Sequence, residues 1–394
     1  MMRMRTSRSG VYLLALIAYI PTFLIQHGKV FTDTKLYLAT DPGGLLRNAA
    51  TAWDSRLFAG YVPHQNIGYL WPSGPFFWTT DAFGIPVWIA QRIWIGSLFF
   101  LAAWGVYRCC LRLRISATSA AIASLMYMLT PFTLSYITRS SVLLLPWVGL
   151  GHIVATTLDV RDREPGARKV DAWVLPAAIA LIVFSVGGIN ATALIMIAPA
   201  PLIVIVSMTM WRQIAPRTAS GFVARTAAIC GVTSAWWLSA VAIQARYGSR
   251  VLAFSETLDA VSHTATSAEV LRGLGHWLNY INAHTAIATT SAVQYASDHL
   301  LMFSGFSIAL LSLAGAVYSR SRHAQMALAM VLAGLVLSIG VHPINDSSPL
   351  FRPMAERSES FLALALRSST RAIPMLLLGL SLSLAIGLDK LRRH

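Results

Sequence analysis

The sequence predicts an all-α protein that crosses a membrane many times, and three observations lead to this prediction. Of the 394 residues, 56% are apolar and only 12% are charged, which is about half the charged fraction of a soluble domain. The mean hydropathy is +0.60. Apolar stretches of membrane-spanning length recur along the whole chain. A soluble enzyme is excluded, because its surface could not stay hydrated.

Ten apolar stretches are predicted to form helices. The first follows a basic N-terminus but is not followed by a small-x-small cleavage site, so we interpret it as an uncleaved helix rather than a signal peptide. Several of these stretches contain proline, among them Pro131, Pro146, Pro199 and Pro201, which membrane helices tolerate when neighbours bond the released backbone groups. The stretches are 11–26, 86–107, 116–137, 141–158, 172–188, 191–211, 226–244, 301–318, 324–341 and 372–388.

The basic residues predict the orientation of these helices. The net charge is +15, and 18 of the 31 Lys and Arg residues fall in the short segments on the side of the N-terminus. By the positive-inside rule, both termini are expected in the cytoplasm. The excess charge is therefore a topology signal, and it does not support nucleic-acid binding.

The polar residues concentrate in three longer loops, 27–85, 246–300 and 342–371, all predicted outside the plasma membrane. Transporters place polar groups within their helices, whereas here Arg92 is the one charged residue in the predicted spans. The pattern favours an enzyme that acts on a lipid-linked substrate at the outer surface. A transporter and a non-catalytic membrane scaffold are the alternatives from other classes.

The first loop combines short amphipathic pieces with a cluster of aromatic residues. Residues 36–38 and 45–53 are predicted to lie on the membrane surface. The stretch 61–78 is rich in Trp, Tyr, Phe, Pro and Gly. Flat aromatic rings stack on sugars, but they also anchor proteins in the membrane interface. Both interpretations stay open at this point.

Five sequence strings resemble a known family, and they occur in the same order across residues 33–374. The family is the arabinofuranosyltransferase D family of mycobacteria and corynebacteria, whose N-terminal region is a membrane glycosyltransferase domain of the GT-C class. The strings are DTKLYLATDP (33–42), NIGYLWPSGPFF (66–77), GIPVWIAQRIW (84–94), LRGLGHWLNY (271–280) and LRSSTRAIP (366–374). The whole chain, 1–394, is therefore expected to form one membrane-embedded GT-C-like domain.

The resemblance implies a reaction and its substrates. Family members use decaprenyl-phosphoryl-arabinofuranose as donor and form α-(1→3) branches on the arabinan of arabinogalactan and lipoarabinomannan. They are much longer, with further helices and carbohydrate-binding modules after the matched region, which are expected to be absent here. Another polyprenyl-phosphate sugar, such as mannose, and a truncated non-catalytic scaffold or lipid-sugar binding module are the alternative functions.

An inverting transfer needs one carboxylate as general base on the acceptor hydroxyl. Asp33 is the candidate, because the resemblance implies an acid early in the first outer loop and Asp33 is the first acid there. The structural alternative is a helix cap or an ion pair with Lys35. Asp41 is the second choice, although its ATDPGG context is typical of a turn or helix cap.

The leaving phosphate needs cations rather than an acid. Lys35, Arg92 and Arg371 are the candidates for it, with headgroup contacts as the alternative for Lys35 and Arg371, and a structural carboxylate as the alternative partner of Arg92. The segment GHWLNY is predicted to be a re-entrant or interfacial helix. Candidates for sugar and acceptor binding are His64, Tyr69, Trp71, His276 and Trp277.

No metal or cofactor is predicted. The histidines lack metal-ligand spacing, and the first loop has no paired acids. Phosphate-binding loops and dinucleotide-binding glycine patterns are also absent from the sequence, so a soluble nucleotide sugar is a poor donor. The expected partners are the lipid-phosphate donor, the arabinan acceptor and the bilayer.

Overall fold

The computed structural model describes residues 8–33, 35–55, 59–62, 66–137, 139–162, 171–248, 254, 256–280, 282–283, 286–287 and 290–393. Nearly all regular structure in these residues is helical. The strands β1 (Asn282–Ala283) and β2 (Ala286–Ile287) form one short antiparallel pair. The prediction of an all-α protein is therefore confirmed.

Ten α-helices lie among the described residues between 8 and 210. They are α1 (Arg8–Leu24), α2 (Tyr37–Thr40), α3 (Pro42–Ala49), α4 (Ser73–Ala82), α5 (Val87–Arg112), α6 (Ala117–Met128), α7 (Leu145–Leu158), α8 (Asp171–Gly187), α9 (Ala191–Ile197) and α10 (Pro199–Met210). The second half continues with α11 (Pro216–Tyr247), α12 (Leu258–Ser262), α13 (Ser267–Leu271), α14 (Thr290–Ser297), α15 (His299–Ser319), α16 (Arg322–Ile339), α17 (Arg352–Glu356), α18 (Phe361–Leu366) and α19 (Ile373–Arg393).

Short 3₁₀ turns lie between several of these helices. Those used below are Asn66–Leu70, Pro131–Ser135, Ser141–Leu144, Trp277–Asn279 and Ser369–Ala372.

Within the described residues, eight helical segments are long and apolar enough to cross a membrane. They are Val87–Arg112, Ala117–Ser135, Ser141–Asp162, Ala191–Met210, Pro216–Tyr247, His299–Ser319, Arg322–Ile339 and Ser369–Leu391. Two shorter apolar helices, Ser9–Leu24 and Asp171–Gly187, lie at the other two predicted positions. The chain is a multi-pass membrane protein, and the number of ten crossings stays a prediction.

Two prolines interrupt predicted helices, whereas Pro21 and Pro176 lie inside α1 and α8. Helix α6 ends at Met128, and Pro131 opens the following 3₁₀ turn. Helix α9 ends at Ile197, and Pro199 begins α10. The predicted spans 116–137 and 191–211 are present as the segments Ala117–Ser135 and Ala191–Met210. Each is divided at its proline, because proline lacks the backbone donor that a helix interior needs but suits the first turn.

Helix α11 begins earlier than its apolar pattern indicates. The apolar stretch starts near residue 226, whereas the helix starts at Pro216. Proline is favourable at the first helical position, and the polar residues that follow form the first turns of the helix. Its bounds are therefore set by the proline and not by the hydropathy.

Helices α5 and α19 form the centre of the bundle. Helix α5 packs against α1, α6 and α7, while α19 packs against α6, α15 and α16. Helices α5 and α7 approach closely at two glycines, since a Cβ atom on Gly151 would lie 2.7 Å from the carbonyl carbon of Gly105. Most of the surface of α11 and α15 is exposed and apolar, as a lipid-facing helix requires.

The longer connections gather at one end of the bundle, which we call the loop end. It comprises the described parts of 25–86, 129–140, 188–190, 248–298 and 340–372. The first loop contacts the end of α8 so closely that a Cβ atom on Gly68 would lie 2.4 Å from the Gly188 carbonyl oxygen. Thr192 donates a hydrogen bond to the Ala365 carbonyl oxygen at 3.1 Å. These contacts join three loops around one region.

Candidate active site

A tight turn after α1 brings Asp33 beside α5. Gly28 has a φ of 75°, a left-handed conformation that glycine adopts without strain. Gln91 of α5 then bonds both backbone groups of Phe31: its Oε1 accepts from the amide at 2.7 Å, and its Nε2 donates to the carbonyl at 3.0 Å. The segment 25–33 therefore runs along the first turns of α5.

Arg92 lies beneath this segment and is fully buried. One terminal nitrogen donates to the carbonyl oxygens of Ile25, Gln26 and Lys29 at 3.3, 3.2 and 3.1 Å. The Phe31 ring centroid is 3.9 Å from the guanidinium carbon. Within the described part of the chain, the partners of Arg92 are carbonyl groups and not the structural carboxylate considered above. Its contacts hold the turn that carries Asp33.

Ser141 holds both oxygens of the Asp33 carboxylate. The Ser141 amide donates to Oδ1 at 3.0 Å, and the Ser141 hydroxyl donates to Oδ2. The Ser141 hydroxyl also accepts a hydrogen bond from the indole nitrogen of Trp94, two turns into α5, at 3.0 Å. Ser141 and Trp94 are both buried. Asp33 is thus attached to the bundle 108 residues further along the chain.

The contact with Ser141 places Asp33 at a helix N-terminus. Ser141 opens the 3₁₀ turn Ser141–Leu144, which continues directly into α7. A negative charge is stabilised at that end by the helix dipole. The structural alternative of a helix cap is thus realised, although for a distant segment. Each carboxylate oxygen can accept more than one hydrogen bond.

Lys35 lies between two tyrosines of the first loop. Its ammonium group donates to Asn66 Oδ1 at 2.8 Å and to the Tyr37 hydroxyl at 3.2 Å. It is 5.5 Å from the Tyr69 ring centroid and 5.7 Å from that of Tyr37. Lys35 therefore bonds these groups rather than Asp33. An ammonium group has three donors, so one remains for an anion.

Tyr69 is buried and keeps its proton. Burial raises the pKa of the Tyr69 phenol above its ordinary value, and the charge of Asp33 and the neighbouring Tyr37 raise it further. The phenol is therefore neutral over the working pH range. This result also places the charge of Asp33 near the aromatic part of the first loop.

His276 forms a second cluster with Tyr136 and Trp277. The His276 ring centroid is 5.0 Å from that of Tyr136 and 6.1 Å from that of Trp277, nearly parallel to the latter. Burial and the positive charges of Arg371 and Arg139 lower the pKa of His276 to about 3. Nδ1 accepts from the Leu278 amide at 3.3 Å, so we assign the ring proton to Nε2.

Two arginines lie at this second cluster. Arg371 belongs to the turn Ser369–Ala372, and within the described residues its side chain makes no hydrogen bond or ion pair. Arg139 lies in the connection between the turns Pro131–Ser135 and Ser141–Leu144. Burial raises the pKa of Tyr136 to about 12, although Arg371 opposes this effect. The cluster therefore combines two cations with neutral donors.

Residues 136–141 connect the second cluster with the group formed by Asp33, Lys35 and Tyr69. Tyr136 contacts His276 at one end of this segment, and Ser141 binds Asp33 at the other. Arg139 lies between them. The structure thus brings together Asp33, Lys35 and Tyr69 on one side, and His276, Trp277 and Arg371 on the other.

The remaining predicted site residues lie elsewhere. Asp41 is the N-cap of α3, where its Oδ1 accepts from the Gly44 amide at 2.9 Å, which confirms the cap interpretation. The Trp71 indole donates to the Ser185 hydroxyl at 3.1 Å and is 40% exposed. His64 lies outside the described residues. The prediction of a re-entrant or interfacial helix in GHWLNY was wrong, because only a 3₁₀ turn, Trp277–Asn279, forms there.

Four residues of the site were missed by sequence reasoning. They are Gln91, Trp94, Arg139 and Ser141. Trp94 and Ser141 were assigned to apolar helices, where a tryptophan is ordinary and a serine is typical of a helix start. Arg139 carried a usable signal, since it is a cation between two predicted spans on the loop side.

The described residues contain no group of three or more His, Cys, Asp or Glu side chains that could hold a metal ion. Cys109 and Cys110 are both buried in α5, away from the loop end.

We expect His276 to make the protein less stable as the pH falls. Its pKa is about 3 in the folded chain and 6.5 in an ordinary environment. Between these values the unfolded chain binds more protons, so His276 opposes folding by up to about 1.4 kcal/mol per pH unit. The melting temperature in detergent should fall less between pH 7 and pH 4.5 for His276→Gln than for the wild type.

The matched control is His299→Gln, which replaces an exposed histidine at the start of α15. Its melting temperature should follow that of the wild type at each pH. An equal fall in all three proteins would contradict the buried, neutral state of His276.

The arrangement of helices defines the class of protein. The cryo-EM structure of arabinofuranosyltransferase AftD from mycobacteria superposes with a TM-score of 0.73 over 98% of this chain and 24% of that chain, at 24% identity. At this identity the likeness shows the fold alone, which is that of a GT-C membrane glycosyltransferase domain.

The family model for the N-terminal GT-C domain of α-(1→3)-arabinofuranosyltransferase matches residues 17–394, so the chain belongs to this family. It is similar to the α-(1→3)-arabinofuranosyltransferases of Mycolicibacterium smegmatis, with 28% identity over 94% of this chain, and of Mycobacterium tuberculosis, with 27% identity over 96%. The chain spans about a quarter of the length of these relatives. The resemblance recognised in the sequence is confirmed.

Proposed function

We propose that this chain transfers arabinofuranose from decaprenyl-phosphoryl-arabinofuranose to the arabinan of the cell wall, forming α-(1→3) branches with inversion at the anomeric carbon. Membership of the arabinofuranosyltransferase family supports the reaction class. The observation that carries the proposal for this chain is the Asp33 carboxylate, held by Ser141 at the loop end, where Lys35 and Arg139 lie two residues along the chain from Asp33 and from Ser141.

Asp33 is the general base in this proposal. Its carboxylate accepts the proton of the acceptor hydroxyl while the acceptor oxygen attacks the anomeric carbon. The bond between that carbon and the phosphate oxygen breaks on the opposite face, and decaprenyl phosphate leaves with the bonding electron pair. The β-linked donor thereby yields an α-linked product. A carboxylate oxygen has two lone pairs, so it can accept a second hydrogen bond.

Arg371 and Lys35 bind the donor phosphate, together with Arg139. The leaving phosphate gains negative charge, and charge-assisted hydrogen bonds from fixed cations stabilise it. Arg371 has unused donors, and Lys35 retains one. The buried Arg92 has an indirect role in this scheme, because it holds the turn 25–29 and hence the position of Asp33.

The aromatic residues of the loop end bind the sugars. Trp71 and Trp277 present partly exposed rings on which a sugar face can stack. His276 is neutral and Tyr69 is protonated, so both offer hydrogen bonds without charge. His64 and Asp41 complete the candidates, the latter as the second choice of base.

The loop end faces the outside of the plasma membrane, and both termini are cytoplasmic. The opposite end carries Arg112, Arg161, Arg320 and Arg393, as the positive-inside rule requires of a cytoplasmic surface. The whole chain then acts as one GT-C-like unit whose outer loops 27–85, 246–300 and 342–371 surround the site.

The proposal is tested with the full chain in liposomes that contain radiolabelled decaprenyl-phosphoryl-arabinofuranose and a synthetic oligoarabinan. We expect labelled product with new α-(1→3) linkages. Transfer of mannose from decaprenyl-phosphoryl-mannose, without transfer from the arabinofuranose donor, would show that the donor sugar is mannose. A folded chain that binds the donor lipid but transfers nothing would contradict the proposed enzymatic activity and favour a lipid-sugar binding module.

A further inference from the structure

We infer that Ser141 and Trp94 are positioning residues for the general base, an inference that rests on the proposed function of Asp33. Three hydrogen-bonding groups form a chain that begins in α5 and ends on the carboxylate. The Trp94 indole donates to the Ser141 hydroxyl at 3.0 Å, and that hydroxyl donates to Asp33 Oδ2. The Ser141 amide holds the other oxygen at 3.0 Å.

The chemistry of the three groups determines the direction of every hydrogen in this chain. An indole nitrogen is a donor only, and a carboxylate is an acceptor only. The Ser141 hydroxyl must therefore accept from Trp94 and point its single proton at Asp33. A hydroxyl without the indole partner could rotate towards other acceptors, so Trp94 keeps Ser141 in the orientation that Asp33 uses.

The rigidity of this chain comes from its surroundings. Ser141 is 0% exposed and Trp94 is 6% exposed. The Trp94 ring packs against Phe76 and Phe77 of α4, with centroids 5.3 and 5.9 Å away. Helix α4 belongs to the first loop, which also carries Asp33 and Lys35. The first loop and the bundle core thus meet at Trp94, and the carboxylate plane is fixed by both.

This arrangement affects the rate of sugar transfer by orienting the general base. A base must lie within hydrogen-bond reach of the acceptor hydroxyl, and a small displacement costs a large part of the rate. The two bonds from Ser141 fix both carboxylate oxygens, so the carboxylate cannot rotate about its Cβ–Cγ bond. The orientation in which the carboxylate meets the acceptor hydroxyl is therefore set by Ser141.

The test compares Ser141→Ala, Ser141→Thr and Trp94→Phe in the transfer assay, with melting temperatures measured for each. Loss of a hydrogen bond to a charged group should lower kcat for Ser141→Ala by about 10- to 100-fold, with the KM values for donor and acceptor within about twofold. Ser141→Thr keeps the hydroxyl and should recover most of the rate. Trp94→Phe should lower kcat by a smaller factor and keeps the test valid if Ser141→Ala does not fold.

The matched control is Ser97→Ala, which removes a hydroxyl bonded to Tyr19 from the same helix as Trp94. It should leave kcat unchanged. Normal kcat in folded Ser141→Ala, or a rate loss that Ser141→Thr does not recover, would overturn the inference while the proposed function stands. An inactive wild type would instead refute the proposed function.

Discussion

Asp33→Asn should lower the rate of sugar transfer by about 100- to 10,000-fold, the range that a general base contributes. The substitution removes the basic oxygen but keeps the shape of the side chain. The Ser141 amide can still donate to the new amide oxygen, whereas the Ser141 hydroxyl loses its acceptor, so the fold should persist with a moderately lower melting temperature. The measurement is kcat for transfer from decaprenyl-phosphoryl-arabinofuranose, together with donor binding.

A matched control is available at the same end of the bundle. Asp298 is the N-cap of α15, and its Oδ1 accepts from the Leu300 and Leu301 amides at 2.8 and 3.1 Å. It therefore resembles Asp33 in binding a helix N-terminus. Asp298→Asn should leave kcat unchanged. If Asp41→Asn abolishes transfer and Asp33→Asn does not, the base is the second choice, and the assignment of Asp33 is refuted.

Arg371→Gln should weaken donor binding and slow transfer, each by about 10- to 100-fold, because a charge-assisted hydrogen bond to the phosphate is lost. Arg139→Gln should have an effect in the same direction. Arg371→Lys keeps the charge but not the planar fork, so its effect should be intermediate. The measurements are KM for the donor, kcat, and the binding of decaprenyl phosphate to the unreacted protein.

The control for these arginines is Arg352→Gln, which removes an exposed cation at the start of α17. It lowers the positive charge of the loop end by the same amount without touching the second cluster. Donor binding should stay at the wild-type value. Equal losses in Arg352→Gln and Arg371→Gln would show a general electrostatic effect and contradict a phosphate site at Arg371.

Much of the fold is readable from the amino-acid pattern. Each apolar helix must satisfy its own backbone in lipid, so a membrane helix is encoded in one continuous stretch of sequence. All ten predicted stretches accordingly contain helices. The N-cap role of Asp41 is equally local, because the Asp-Pro-Gly-Gly string supplies the cap, the first helical residue and the space for both.

The positions of helix breaks were harder to predict. Hydropathy does not change at Pro131 or Pro199, so the apolar pattern continues through both breaks. The helix breaks at these positions because proline lacks a backbone donor. The packing of neighbouring helices then determines whether the break becomes a kink or the start of a new helix. The polar segment 136–141 exists because α6 stops early.

Sequence spacing carries no information about the contacts that make the site. Asp33 is singled out by its place at the start of a loop, but its partner Ser141 is 108 residues away. Arg92 was expected at a phosphate or a carboxylate, and it lies instead against three carbonyl oxygens of a turn. These contacts depend on how α1, α5 and α7 pack. Composition and periodicity therefore specify which segments are helices, while the packing of distant helices specifies what each polar side chain touches.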